Sequence, residues 1–443
     1  MNLQKSPQKL LTCVILLFLV FSSATLTRSA TDGSDKPATK EPLGWKPHVI
    51  RKGDGKGGWM DHPGSLQFIH KKGGKYVMPF GIVAMDNGEV LLAASWHDGT
   101  SDKAVISEKP VMAISRNRGD TWSEWTAVPG AAGRPVMLTD LGKGNLVFQT
   151  DSLGPSLSKQ YFSKDFGRTW PERRVLQVAA NKGTTGEGKA PGFFGAEGNS
   201  WVDRDKQGLA TRIGQIGWNY DPASRWPKDP ANGIIRWSRD GGRSWTDEFI
   251  PKAWTYEEKH RGKTYKRGIS EGSLVRAANN WLVAALRTDL PPRYLAVPHN
   301  DSLEGTGISI SKDDGKTWSP VKILFDAGRH HAHLLRLPNG DLVLTLIVRV
   351  DVQDGKLVSY RRGLEAILSH DNGQTWEISR KYVLDGFSYL DPKLWFSGEC
   401  GHLSSTLLDD GSLLTCYANY LTKGVSLIRW KPQTKPKTAK TNN

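Results

Sequence analysis

The sequence predicts an all-β chain folded as a six-bladed β-propeller. A repeated turn phrase, a set of hairpins and their spacing carry that expectation. Five near-copies of one eight-residue phrase read SRNRGDTW (Ser115–Trp122), SKDFGRTW (Ser163–Trp170), SRDGGRSW (Ser238–Trp245), SKDDGKTW (Ser311–Trp318) and SHDNGQTW (Ser369–Trp376). Ser, Gly and Trp keep their places throughout, and only Asn117 replaces the third-position Asp. The copies start 48, 75, 73 and 58 residues apart, the spacing of one supersecondary unit repeated with variable loops. The phrase reads as a turn in which the acid caps backbone donors, Gly takes the strained position and Trp anchors in the core.

Each unit opens with an apolar hairpin around a Gly or Asn turn. Four are clear, at 81–95, 273–287, 333–348 and 402–418, and two are weaker, at 134–149 and 199–214. A third strand such as GISIS or LEAILS, the phrase, and a fourth strand such as VKILF follow. Six hairpins and five phrases give six four-stranded blades arranged radially. The last blade has a third strand at Val425–Trp430 and no phrase, so Pro47–Arg51 is expected to close the ring as its fourth strand.

Outside the propeller at 45–431, residues 1–30 read as a secretory signal. Lys5 and Lys9 precede an apolar run from Leu10 to Phe21, with cleavage after Ala24 or Ala30. Residues 31–44 read as a flexible linker and 432–443 as a disordered basic tail. The protein is therefore expected to be secreted or periplasmic, without a membrane span, and monomeric. Cys400 and Cys416 share one hairpin whose turn sets Cys416 opposite Ser404, out of register with Cys400 for a disulfide. No Cys/His spacing suggests a metal, and no cofactor is expected. The formal charge of +15 falls to +12 once Lys5, Lys9 and Arg28 leave with the signal. That basic balance favours anionic glycans over nucleic acid in an exported chain.

The strand order puts the five phrases on the face opposite a central funnel, which excludes their acids from a site. Counting nine residues back from each hairpin turn locates the funnel. Gly340 gives His331, Gly411 gives His402, Asn280 gives Glu271 and Gly208 gives Asn199. The first two hairpins give Pro79 and Pro135. Ends of second strands add His97, Asp98, Gln149, Asp151, Arg212, Arg287, Arg349 and Asn419. Polar groups converging at the mouth of an apolar ring are the mark of a ligand site.

The phrase resembles the Asp-box, S-x-D-x-G-x-T-W, of the sialidase-like superfamily (BNR-repeat propeller proteins). Sialidases grip a substrate carboxylate with three arginines, use a Tyr paired with a Glu as nucleophile, and use an Asp as acid/base. Glu271 followed by Arg287 is similar to the family's Glu and Arg across the fourth hairpin. The resemblance makes Glu271 the base beside the nucleophile and Arg287 a carboxylate clamp. Arg361 or Arg362 matches the later arginine; the acid/base falls at Asp102, with Asp98 and Glu108 as alternatives. The first arginine is missing from Tyr76-Val77-Met78-Pro79, and the nucleophile's place is taken by His402, with Tyr389 thirteen residues too early.

The resemblance implies an exo-acting glycoside hydrolase on terminal acidic sugars, sialic acid by analogy. Its catalytic group would be Asp102, Glu271 and His402. Its substrate-binding group would be Arg287, Arg349, Arg361, Arg362, His331, Arg212 and Asp98. Two other functions stay open: another glycan-cleaving hydrolase or lyase with His402 as acid/base, and a non-catalytic glycan-binding propeller.

Overall fold

A computed structural model describes residues 44–69, 76–97, 109–151, 159–175, 198–219, 229–297, 300–353, 356–359, 361–387, 402–419 and 424–433. The chain divides into Met1–Pro42 and Leu43–Asn443, and every described strand belongs to the second unit. An N-terminal hairpin, β1 (Lys46–Gly53) and β2 (Trp59–Ile69), precedes the repeated units. The first unit is β3 (Tyr76–Ala84), β4 (Val90–His97), β5 (Lys109–Ser115) and β6 (Thr126–Ala127). The second is β7 (Arg134–Gly142), β8 (Asn145–Asp151), β9 (Lys159–Ser163) and β10 (Glu172–Val175). The third is β11 (Trp201–Arg204), β12 (Ala210–Asn219), β13 (Asn232–Ser238) and β14 (Thr246–Phe249). A side hairpin, β15 (Tyr256–His260) and β16 (Lys263–Arg267), leads to the fourth: β17 (Ile269–Arg276), β18 (Leu282–Thr288), β19 (Gly305–Ser311) and β20 (Lys322–Phe325). Each of the four is a separate four-stranded antiparallel meander, the blade of a β-propeller.

The rest of the chain adds β21 (Arg329–Arg336), β22 (Leu342–Val348), the side hairpin β23 (Asp351–Gln353) and β24 (Lys356–Ser359), β25 (Arg362–Ser369), β26 (Tyr382–Phe387), β27 (Leu403–Leu407), β28 (Leu413–Asn419) and β29 (Gly424–Trp430). Apart from the side hairpin, these join the N-terminal hairpin in one nine-stranded sheet, β21-β22-β25-β26-β1-β2-β29-β28-β27. The strand beside β29 is therefore β2, not the expected Pro47–Arg51 segment. That segment lies one strand further out in β1, which pairs with both β2 and β26. Among the described residues no helix is long and apolar enough to cross a membrane.

Second strands sit between neighbouring sheets, so β18 and β22 are buried at every position. That is why LVAALRT and LVLTLIV lack the polar alternation of a half-exposed strand. Each phrase Ser ends a third strand. Its Oγ accepts the N–H of the phrase Gly at 2.7 to 3.0 Å. The third-position acid, or Asn117, accepts the N–H of the phrase Thr or Ser at 2.8 to 2.9 Å. The Gly has a φ of 79° to 89°, left-handed backbone that a side chain would strain. The tryptophans depart from expectation. Trp170 and Trp318 are buried, but Trp122, Trp245 and Trp376 are half-buried. For Trp122 the reason is the two-residue β6, beside which a groove of about 580 Å³ opens between the first two sheets.

First strands line the axis. Their inner edges have no strand partner, so hydroxyls from a neighbouring first strand take up the N–H groups. Ser404 Oγ accepts Ile82 N–H at 3.2 Å and Ser273 Oγ accepts Leu334 N–H at 2.8 Å. Asn199 crosses the axis, donating to the Leu334 carbonyl at 3.1 Å and accepting from Leu334 N–H at 3.3 Å. Cys416 pairs in register with Ser404, as the turn predicts, and is a buried free thiol.

Candidate functional site

The first strands share a local irregularity that builds the site. The ladder between first and second strands slips between Pro79 and Gly81, between Pro135 and Met137, between Ile269 and Gly272, and between His330 and His333. Such a bulge re-aims a side chain. Phe80, Val136, Glu271 and His331 fall within these slips, and all four line one narrow pocket with His402 and Leu403. His331 reaches it with a φ of 54°, strained for a residue with a β-carbon. The pocket holds about 20 Å³, room for one water-sized group and not a sugar ring.

Glu271 and Arg287 face each other across β17 and β18. Arg287 Nη1 donates to Glu271 Oε1 at 2.9 Å and Oε2 at 3.0 Å, and its Nε donates to Glu304. Glu271, Glu304 and Arg287 are all buried. Burial alone would push the Glu271 carboxyl up. Arg287 first, then His331, override it and hold the group well below the usual carboxylate range.

The tautomer of His331 follows from its neighbours. A guanidinium can only donate, and Arg349 Nη2 lies 3.1 Å and Arg287 Nη1 3.4 Å from His331 Nε2. Nε2 is therefore the acceptor and Nδ1 carries the proton. Nδ1 lies 3.0 Å from Glu271 Oε2 and donates to it. Burial pushes the His331 pKa down; Glu271 opposes this, and Arg287 and Arg349 add to it. His331 is thus a neutral strut between Arg349 and Glu271 and takes no proton near neutrality.

Arg349 is fully buried, so it is not a solvent-facing strand end. Arg362 is buried and donates to Ser302 Oγ at 3.4 Å. Arg361 is bonded instead to Asp351, at 2.9 Å, and to Glu365, at 3.2 Å. Burial first, then Arg287, His331, Arg349 and Arg362, press the His330 pKa well below its ordinary value. The His402 ring is centred 4.8 Å from His331 and 4.4 Å from Phe80. Potential ligand atoms of Glu271, His330 and His331 lie within 4.8 Å of one another. They do not suit a divalent cation: His331 Nε2 already accepts from guanidiniums, and three arginines surround the group.

The structure thus brings Glu271, Arg287, His331, Arg349 and His402 together, with Arg362 close to His330. Arg212 is not with them. It pairs with Asp203 and with Asp314 of the fourth phrase turn. The expectation failed because β12 begins at Ala210, which puts Arg212 at the start of that strand. Arg276, closing β17, bonds the same Asp314 at 2.8 Å, so that turn and Glu271 lie at opposite ends of β17. Asp98, Asp102, Glu108 and Tyr389 lie outside the described residues. Glu304 and His330 were missed. Glu304 stands just before β19, whose pairing Thr288↔Gly305 brings it near Arg287.

No protein-family model matches the chain, and no curated protein matches it by sequence. Solved structures do. A protein of unknown function from Dyadobacter fermentans superposes with a TM-score of 0.58 at 17% identity, covering 83% of this chain and 98% of that one. An α-L-arabinofuranosidase of Fusarium graminearum superposes at 0.51 with 13% identity, covering 88% and 98%. A Hadza microbial sialidase gives 0.30 at 13% identity, covering 80% and 66%. The chain is similar in fold to propeller glycosidases.

Proposed function

We propose that this protein is a secreted, monomeric, exo-acting glycoside hydrolase that removes a terminal acidic sugar, sialic acid by resemblance, from glycans. In this reading the nine-stranded sheet is two further blades bridged by β1, which completes six. The carrying observation is the ionised Glu271, held by Arg287 and His331 in the axial pocket, with Arg349 buried behind it. The pocket admits one water-sized group, such as a hydroxyl or an attacking water beside Glu271, with Arg287 and Arg349 buried behind its lining. The acidic-sugar preference rests on the resemblance and on the basic balance of the chain. A carboxylate kept ionised suits the partner of a nucleophile or of an activated water, and does not suit a proton donor. Asp102, with Asp98 and Glu108 as alternatives, would protonate the leaving oxygen as the glycosidic bond breaks and water adds to the anomeric carbon.

The cluster of His330, His331 and His402 favours a second reading, elimination from a uronate, in which His402 takes the C5 proton as the C4–O glycosidic bond breaks and returns it to the leaving oxygen. Release of sugar from fluorogenic sialosides, uronides and neutral glycosides tests the first. Ultraviolet absorbance of an unsaturated product tests the second. Hydrolysis of an acidic glycoside that Glu271→Gln abolishes is the expected result. Activity confined to neutral glycosides would end the acidic-sugar reading, and inactivity on every substrate would leave a glycan-binding propeller.

A further inference from the structure

The widest space along the axis is not at Glu271. An open cavity of about 660 Å³ lies among the first strands, lined by side chains that include Thr139, Ser200, Trp201, His333 and Thr406. Its lining and that of the Glu271 pocket share no residue. Asn199, bonded across the axis to Leu334, is in its wall. Its volume falls within the ~300–1,000 Å³ of small-molecule sites.

The wall carries polar groups with nothing to bond. Ser404 Oγ accepts the Ile82 N–H at 3.2 Å, so its own hydrogen is free for His333 Nε2 at 3.3 Å. His333 Nδ1 then holds a proton and has no hydrogen-bond partner, although His333 is buried. Thr139 Oγ1 is also buried without a partner. Burial pushes His333 down to about 3, so it is uncharged at neutral pH. The carboxylates in the wall are already matched: Asp140 by Arg204 at 2.9 Å, and Asp203 by Arg276 at 2.8 Å. Buried polar atoms without partners mark an absent water or ligand. Here they call for oxygen atoms; the wall's third guanidinium, Arg336, donates to the Arg276 and Ala277 carbonyls at 3.1 and 3.3 Å.

We propose that this cavity is a second binding site, for a short neutral saccharide. Hydroxyl oxygens would accept from His333 Nδ1 and exchange hydrogen bonds with Thr139, while the half-buried Trp201 lends apolar surface to a sugar face. A neutral ligand here would leave the acidic-sugar pocket unoccupied. The proposal does not depend on the hydrolase reading.

The test is titration of the full chain with lactose, maltose and cellobiose by calorimetry and saturation-transfer NMR. Saturable binding of at least one is expected. Ser200→Trp, which fills the cavity, should weaken it more than tenfold. Thr139→Val, which removes only a hydroxyl, should weaken it severalfold and carries the test if Ser200→Trp does not fold. Glu271→Gln should leave it unchanged. The proposal is overturned if none of the three saccharides binds saturably, which would make the cavity a water channel. Binding that survives both cavity variants, or that Glu271→Gln removes, overturns it as well.

Discussion

The first two sheets and the fourth and fifth sheets use one backbone device and put opposite chemistry on it. In both pairs the first strand slips its register just before the axis. In the first pair the slips present Phe80 and Val136 to the pocket; in the second they present Glu271 and His331. The backbone supplies position, and the residue in the bulge decides whether that position is wall or machinery. The partners follow the same division. Phe80 meets the His402 ring, whereas Glu271 and His331 are tied to Arg287 and Arg349. A ring of similar units can thus carry a site confined to part of its circumference, which is why fold alone does not identify chemistry.

The largest expected difference between the two pairs lies in activity. Glu271→Gln keeps the shape and removes the charge; turnover of the active glycoside should fall ~10²–10⁴-fold, the range for lost acid–base or electrostatic assistance. Val136→Ala, in the apolar half, should change turnover by less than threefold. Comparable losses in the two variants would erase the division between wall and machinery.

Stability should reverse the ranking. Phe80 is buried, and Phe80→Ala should cost ~3–5 kcal/mol in a denaturant titration, as for a core aromatic. A loss under 1 kcal/mol would mean the apolar half is not packed as the structure has it.

Much of this was legible beforehand, and the failures have physical causes. The phrase turns were readable because each uses a Ser, an acid and a Gly at fixed offsets to close one local hydrogen-bond pattern. Counting nine residues back from a turn found Glu271, His331 and His402, since those hairpins have similar lengths. It gave Pro79 and Pro135 where the pocket holds Phe80 and Val136, because in those two hairpins the bulge sits one residue nearer the turn, and no turn signal announces where a bulge falls. Arg212 was misplaced because WVDRDKQGLATRIG carries two polar residues at its strand start, which hid where β12 begins. Which of Arg361 and Arg362 faces inward depends on Asp351 and Glu365, acids distant in sequence or on the same strand that only the folded sheet brings into reach.

A smaller effect separates Arg349 from Glu271. Arg349→Ala removes the nearer of the two donors to His331 Nε2 and leaves the Arg287–Glu271 pair intact. Turnover of acidic glycosides should fall at least tenfold, and thermal stability should fall too, because the guanidinium is fully buried. Nitrogen-15 chemical shifts of His331 should show the Nδ1–H tautomer in both proteins, because Glu271 Oε2 at 3.0 Å and Arg287 Nη1 at 3.4 Å remain to fix it. A switch to the Nε2–H tautomer in the variant would mean that Arg349 alone sets it.

The gentlest test is pH, and its sign follows from the axial histidines. His330 and His333 are buried, His331 keeps its side chain 8% exposed, and each has its pKa lowered, that of His333 to about 3. All three ride on β21, at one edge of the nine-stranded sheet. Between the unfolded histidine value, ~6.5, and the folded values, the unfolded chain binds protons that the folded chain refuses. Stability is therefore fully present above that unfolded value and is lost as pH falls toward the folded ones, by up to ~1.4 kcal/mol per pH unit for each histidine. Glu271 and Glu365, also lowered, act in the same direction, but only below the ordinary carboxylate range of ~4–5. Across the interval from pH ~6.5 to ~5, His62, also lowered by burial, adds to these histidines, while Asp140, Glu248 and Asp289, each raised by burial, work against them. Urea titrations across it should show stability falling with acid, and His333→Asn should flatten the slope while keeping an acceptor for Ser404. A slope that is flat in the wild type, or unchanged in His333→Asn, would mean that these imidazoles are not held neutral at the axis.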